Sequence, residues 1–161
     1  MFKILADEYV NIFTVLNLFN YITIRTGAAI LTSLFFSLIF GELIIKSLSN
    51  TQPSGQPIRN DGPENHVLNK AGTPTMGGVL IIMSILVSLM LWADLKNNFI
   101  WISILSCLSF GFIGFYDDYL KLKSNSSNGL KARTRIIIQL LISFLVVYLI
   151  QNNLPLNFNQ T

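Results

Sequence analysis

Four long apolar stretches, each almost free of charged residues, constrain this chain more than any other feature of its sequence. A helix needs about 20 mostly apolar residues to cross a bilayer. Backbone groups in lipid must be hydrogen-bonded within their own segment, so such stretches form helices. The sequence therefore predicts four transmembrane helices, at 26–48, 76–93, 98–116 and 135–152. The last stretch is short, and we expect its helix to extend at both ends.

The composition excludes several classes of protein. Only 12% of the residues are charged and 52% are hydrophobic, whereas soluble domains carry roughly 25% charged residues. A soluble enzyme core, a disordered chain and a coiled coil are therefore poor fits. The single cysteine, Cys107, excludes an internal disulfide, and the single histidine, His66, argues against a histidine metal cluster. The predicted fold class is an all-α membrane protein.

Within the N-terminal segment 1–25, the apolar stretch 7–24 is interrupted by a polar residue at every third position from Asn11 to Thr23. On a helix, this spacing distributes the polar residues around the axis, so that no side is entirely apolar. This favours a helix that lies in the membrane interface over one that spans the membrane. Asp7 and Glu8 argue against a cleaved signal peptide, whose first residues are normally basic. We therefore expect an N-terminal interfacial segment ahead of the first span.

The positive charges predict the orientation in the membrane. Eight of the eleven lysines and arginines lie in, or at the edges of, the loops 49–75 (loop 1) and 117–134 (loop 2). The other three are Lys3, Arg25 and Lys96. By the positive-inside rule, both loops face the cytoplasm and both chain ends, including the tail 153–161, face the other side.

Loop 1 carries an unusual density of different polar residues. Four of the five prolines lie there, with several glycines, and such residues fix irregular backbone whose N–H groups can bind anions. Asn69, Lys70 and Thr75 are among its polar residues. A flexible, solvated connector is the ordinary alternative. The variety of side chains favours a functional segment, because plain linkers are usually repetitive.

Asp117 and Asp118, the acidic doublet, directly follow the third predicted span. The carboxyl end of a helix already carries a negative partial charge, so two carboxylates there need compensation. Lys121 can form a local salt bridge, since it lies three and four positions further along. A metal ion, or Lys70 from loop 1, is the functional alternative. The sequence leaves both readings open.

Loop 2 turns through serine, asparagine and glycine and then becomes basic, with Lys131, Arg133 and Arg135. These residues can fix the topology, cradle a phosphate at the membrane surface, or do both. In the preceding span, Gly111 and Gly114 are expected to let a neighbouring helix approach closely.

Two runs of residues carry a resemblance to a known family. The run GQPIRNDGPENHVLNKAGTPTMGGVLI (Gly55–Ile81) and the run GFIGFYDDYLKLKSNSSNGLKARTRIIIQ (Gly111–Gln139) resemble successive cytoplasmic segments of the phospho-N-acetylmuramoyl-pentapeptide-transferase (MraY) family. That family belongs to the polyprenyl-phosphate sugar-1-phosphate transferases. The resemblance extends over essentially the whole chain and is weakest before Arg25 and after Ile150.

The resemblance implies a multi-pass enzyme of the bacterial cytoplasmic (inner) membrane. Its reaction moves phospho-MurNAc-pentapeptide from UDP-MurNAc-pentapeptide to undecaprenyl phosphate, which gives lipid I and UMP and is the first membrane step of peptidoglycan synthesis. The resemblance implies Mg²⁺ as cofactor and membrane lipid as surroundings, with a homodimer as a candidate assembly. It implies no nucleic-acid partner.

Family motifs also imply the site residues. The implied catalytic residues are Asp117, Asp118 and Lys70, and substrate binding is expected of Lys70, Thr75, Asn69, Lys121, Lys131 and Arg133. Transfer between two phosphorylated substrates gathers negative charges, which cations must screen. We expect Asp117 to take a proton from the lipid phosphate or to position it, and Asp118 to organise the site. Whether the aspartate acts as base or nucleophile stays open, and the doublet holds the only candidate metal ligands.

The chain also departs from the family pattern. Family members are about twice as long and have ten spans, and the family's magnesium-binding aspartate and histidine-rich loop are not found in this sequence. We therefore expect a fragment of a ten-helix fold, whether from a truncated gene, a split gene or a longer sequence of which this is a piece, with the missing C-terminal half as a partner. The isolated chain is expected to lack transferase activity. The alternatives are a related UDP-amino-sugar transferase and a noncatalytic membrane remnant.

Overall fold

The computed structural model describes residues 1–9, 14–52, 55, 74–124 and 129–154. All regular secondary structure in these ranges is helical, which confirms the predicted all-α class. The elements are α1 (Phe2–Tyr9), a short 3₁₀ helix (Thr14–Asn20), α2 (Ile22–Thr51), α3 (Gly78–Trp92), α4 (Asn98–Ser124) and α5 (Ala132–Asn153).

Three of these helices, α2, α4 and α5, are long and apolar enough to cross a membrane. The fourth predicted span corresponds to α3, which is apolar but has only 15 residues. At 1.5 Å per residue it is about 22 Å long, which is less than a typical span requires. It begins late because Met76 has a φ of 71°, a left-handed conformation that cannot continue an α-helix.

The helix α4 is longer than the apolar stretch that predicted it. That stretch ends at Tyr116, but the helix continues to Ser124. The acidic doublet therefore lies inside α4, roughly two turns before its end. The expectation that the doublet occupies the helix C-terminus, with its negative dipole end, is wrong. In agreement with its predicted extension, α5 begins at Ala132 and ends at Asn153.

Consecutive helices pack against one another, α2 on α3, α3 on α4 and α4 on α5. Ser88 of α3 donates a hydrogen bond of 2.9 Å to the carbonyl oxygen of Ala29 in α2. At Gly111 a Cβ atom would overlap the side chain of Ile82, so this glycine allows α3 and α4 to approach closely, as predicted. At Gly114 no described atom lies within 4 Å of a Cβ position, so the close approach expected at this second glycine stays a prediction.

Different sets of residues contact one another at the two ends of the helix bundle. At one end, Lys3 pairs with Asp94, and the rings of Phe2 and Trp92 stack with centroids 4.7 Å apart. The short α1 thus packs at this end, and its place in the membrane interface stays a prediction. The other end, which we call the loop end, gathers the described borders of loops 1 and 2: Gln52, Thr75, Asp118 and Leu130.

Candidate functional site

Each carboxylate of the acidic doublet has a defined set of partners. One oxygen of Asp117 accepts a hydrogen bond of 2.7 Å from the backbone N–H of Leu130, and the other lies 2.6 Å from Lys121 Nζ. Asp118 accepts a hydrogen bond of 2.8 Å from the hydroxyl of Thr75 and pairs with Lys121 Nζ at 3.1 Å. The local salt bridge that the spacing predicts is therefore present, and all four carboxylate oxygens have a partner.

This cluster follows from the extension of α4 beyond its apolar stretch. In a helix, residues three and four positions apart are neighbours, so one lysine ammonium can reach both carboxylates. The two carboxylates differ in accessibility, since the side chain of Asp117 is 9% exposed and that of Asp118 is 27% exposed. Asp118 is therefore the one that a bound molecule can reach more easily.

Thr75 is held by a residue that the sequence reasoning did not identify. Its backbone N–H donates a hydrogen bond of 2.9 Å to Gln52 Oε1, and Gln52 Nε2 donates one of 3.5 Å to the carbonyl oxygen of Thr75. Both residues are buried. The only available signal was a glutamine directly after an apolar helix, and no helix or strand spacing links positions 23 apart.

Gly129 brings the end of loop 2 against the doublet. A Cβ atom at this position would lie 2.8 Å from Asp117 Cγ and 2.9 Å from Lys121 Cε. Real side chains do not tolerate such distances, so any other residue must displace the salt bridge or the loop. The glycine is therefore required by the close approach of backbone to carboxylate.

We expect Gly129→Ala to break the hydrogen bond between the Leu130 amide and Asp117, because the added methyl group occupies the space of the carboxylate. The expected cost is about 1–3 kcal/mol in the free energy of unfolding. Unfolding in mixed micelles measures it, with Gly114→Ala as the control, since nothing lies within 4 Å of a Cβ atom there. Equal stability of the two variants would contradict the described packing.

A cavity of about 600 Å³ opens between α3 and α4 and ends at the doublet. Along most of its length the wall is apolar, formed by residues such as Val79, Ile82, Leu86, Leu108 and Phe112. Its polar end is formed by Asp117, Asp118, Lys121 and Arg135. These four residues carry two negative and two positive formal charges. The cavity therefore suits an amphiphile with an apolar tail and a polar, ionisable head.

The structure brings together part of the predicted site. Thr75, Asp117, Asp118 and Lys121 form one hydrogen-bonded cluster. Lys131 and Arg133 are exposed and do not contribute to the cavity lining, whereas Arg135 from the same basic run does. Asn69 and Lys70 lie outside the described residues.

The described residues do not fit a magnesium site by themselves. Mg²⁺ prefers oxygen ligands in octahedral geometry. The four oxygens of the doublet are already engaged by Lys121, Thr75 and Leu130. Within the described ranges, no group of three His, Cys, Asp or Glu residues could hold a metal ion.

The sequence matches proteins of one family. The model for phospho-N-acetylmuramoyl-pentapeptide-transferase signature 1 matches residues 70–82, which include Thr75 and the first turn of α3. A curated protein of that name from Gluconacetobacter diazotrophicus is 50% identical over 142 residues, which are 88% of this chain and 39% of the relative.

Two further curated relatives carry the same name. The one from Rickettsia prowazekii is 48% identical over 143 residues, which are 89% of this chain and 39% of the relative. The one from Granulibacter bethesdensis is 48% identical over 141 residues, 88% of this chain and 39% of the relative. This chain thus spans 39% of the length of these relatives. It belongs to the phospho-N-acetylmuramoyl-pentapeptide-transferase family and corresponds to the N-terminal part of the family's members.

Proposed function

We propose that this chain supplies the lipid-phosphate side of a phospho-N-acetylmuramoyl-pentapeptide-transferase. In this proposal the cavity between α3 and α4 binds undecaprenyl phosphate, with the prenyl chain along the apolar wall and the phosphate at the doublet. The observation that carries the proposal is the continuity of that apolar wall with a charged end formed by Asp117, Asp118, Lys121 and Arg135. An apolar cleft with a few convergent polar groups is the usual form of a small-molecule site.

The reaction proposed is the transfer of phospho-MurNAc-pentapeptide from UDP-MurNAc-pentapeptide to undecaprenyl phosphate. An oxygen of the lipid phosphate forms a bond to the sugar-bound phosphorus of the diphosphate, and the bond from that phosphorus to the UMP oxygen breaks. The products are lipid I and UMP. Such a transfer depends mainly on positioning the phosphates and on balancing their charge.

The surroundings of the doublet favour exchanging the two roles expected from the family motifs, with Asp117 positioning the site and Asp118 accepting the proton. Asp117 is the more enclosed, and it holds the backbone of Leu130, which suits a positioning role. Asp118 is three times as exposed at its side chain, so it is better placed to accept a proton from the lipid phosphate. Lys121 contacts both carboxylates. Its positive charge can therefore stabilise the negative charge on either of them during the transfer.

Three further parts of the proposal rest on the sequence. Lys70, five positions before Thr75, would add positive charge beside the diphosphate, with Asn69 next to it. The exposed Lys131 and Arg133 would meet the UDP-sugar at the membrane surface. Mg²⁺ would be bound by the substrate diphosphate and not by the doublet, whose four oxygens already have partners.

The loop end is proposed to face the cytoplasm at the inner membrane, because it carries most of the lysines and arginines. Since the matched relatives are much longer, we propose that this chain alone binds the lipid phosphate but does not complete the transfer. The remaining part of the family's sequence would then act as its partner.

The test is a binding titration of the purified 161-residue chain in lipid nanodiscs, followed by native mass spectrometry. We expect undecaprenyl phosphate to bind saturably, one per chain, at least about tenfold more tightly than undecaprenol, which has the same tail without the charge. Equal affinity for the two lipids would contradict the proposal.

A matched pair of glycine variants locates the site. Gly114 lines the cavity, and a Cβ atom there has no described atom within 4 Å, so Gly114→Leu places a side chain where the lipid is proposed to bind. Gly27, on α2, has equally open space but does not line this cavity. We expect Gly114→Leu to weaken undecaprenyl phosphate binding about tenfold and Gly27→Leu to leave it unchanged.

A further inference from the structure

Gln52 closes α2 and turns its side chain towards the end of loop 1. Its own backbone N–H donates to the carbonyl oxygen of Ser49, and its side-chain amide makes the two hydrogen bonds with the backbone of Thr75. The residue is only 7% exposed. A buried amide is costly unless it is hydrogen-bonded, so this pairing is strongly preferred over other arrangements.

Thr75 is fixed on both sides. Its backbone is held by Gln52, and its hydroxyl donates to Asp118. The next residue, Met76, has the left-handed φ of 71°, a conformation that non-glycine residues adopt only where the surroundings determine the backbone. The Gln52 pairing lies directly before this turn and therefore helps to hold it.

We infer that Gln52 is a positioning residue for the acidic doublet, acting through Thr75. Gln52 and Thr75 do not contribute to the cavity lining, whereas Asp118 does. Gln52 orients the Thr75 backbone, the Thr75 hydroxyl then orients one oxygen of Asp118, and Asp118 meets the bound phosphate. This inference rests on the proposed function, because it assigns Gln52 an effect on binding at that same site.

The variants Gln52→Leu and Gln52→Glu separate the two hydrogen bonds. Leucine has a similar size but makes neither bond, so the Thr75 amide loses its partner and the hydroxyl is no longer held on Asp118. Glutamate can still accept from the Thr75 amide but, when ionised, cannot donate to its carbonyl oxygen. We expect Gln52→Leu to weaken undecaprenyl phosphate binding about tenfold and Gln52→Glu to have a smaller effect.

A double-mutant cycle with Thr75→Val tests whether Gln52 acts through the threonine hydroxyl. With Thr75 present, Gln52→Leu should lower the affinity for undecaprenyl phosphate about tenfold. In the Thr75→Val chain, which has no hydroxyl to position, the same change should lower it less than about twofold. Equal losses in both backgrounds would overturn the inference. Gln151→Leu, at an exposed glutamine on α5, is the matched control and should change nothing.

Hydrogen exchange and NMR separate this inference from the proposed function. In Gln52→Leu the Thr75 amide should lose its protection, and the chemical shift of the Asp118 carboxylate carbon should change; in Gln151→Leu both should stay as in the wild type. If the wild-type chain binds no undecaprenyl phosphate, the proposed function fails, and these two readouts alone decide the role of Gln52. Unchanged hydrogen-exchange protection of the Thr75 amide in Gln52→Leu would overturn the role inferred for Gln52. If the leucine variant does not fold, the same readouts on Gln52→Met, which has a similar shape and also makes neither hydrogen bond, decide it.

Discussion

Replacing Lys121 with methionine is expected to cost about 2–4 kcal/mol in the free energy of unfolding and to abolish binding of undecaprenyl phosphate. Lys121 is the one cation that the described structure places within salt-bridge distance of both Asp117 and Asp118. Removing one partner of a buried ion pair typically costs about 3–5 kcal/mol. The expected cost is lower here because 23% of the lysine side chain is exposed.

Lys123→Met is the matched control for this change. Lys123 lies in the last turn of the same helix and is exposed, so its loss removes the same charge without touching the doublet. Unfolding of both variants in mixed micelles measures the difference. Adding Asp118→Asn to Lys121→Met should recover part of the lost stability, because it removes one of the two unpaired charges. Equal stability of the two lysine variants would show that the salt bridges contribute nothing.

Asp118→Asn is expected to reduce transfer about 10²- to 10⁴-fold, which is the usual contribution of a general base. Activity is measured in a hybrid enzyme, in which this chain replaces the matching N-terminal part of the Gluconacetobacter diazotrophicus relative. Asparagine has the same shape and can still accept the hydrogen bond from Thr75, but its NH2 group replaces the oxygen that pairs with Lys121, so the variant removes the charge, the basic oxygen and that ion pair.

The variant Asp117→Asn tests whether Asp117 only positions the site while Asp118 accepts the proton. Its oxygen can still accept from the Leu130 amide, although its NH2 group no longer pairs with Lys121, so we expect a loss of about tenfold, mainly in KM, if Asp117 positions the loop. Release of UMP and formation of lipid I report the rate. A loss in Asp117→Asn that equals or exceeds the loss in Asp118→Asn would transfer the role of proton acceptor to Asp117.

Local spacing predicted a large part of the site. The positions of Asp117, Asp118 and Lys121 in one helix determine their salt bridges through the three- and four-residue neighbour rule. Gly111 was likewise predicted to allow a close helix contact, and the structure confirms it. The salt bridges depend only on residues within about one helical turn of each other. The close helix contact depends on the absence of a side chain at Gly111. Both can therefore be predicted directly from the sequence.

Other features depend on contacts that no local pattern encodes. The apolar stretch ends at Tyr116, so hydrophobicity alone did not show that α4 continues to Ser124. The helix α3 begins at Gly78, later than predicted, because of the backbone conformation of Met76. The link between Gln52 and Thr75 joins two chain segments 23 positions apart, and only the packing of α2 against α3 brings them together.

The side of the membrane that Lys70 faces decides whether loop 1 can reach the acidic doublet. In a Cys107→Ser background, single cysteines at Lys70, Lys123 and Lys96 can be labelled with a membrane-impermeant maleimide from each side in turn. We predict that Lys70→Cys and Lys123→Cys react only from the cytoplasmic side and that Lys96→Cys reacts only from the other. Labelling of Lys70→Cys from the same side as Lys96→Cys would separate loop 1 from the doublet and contradict the proposed site.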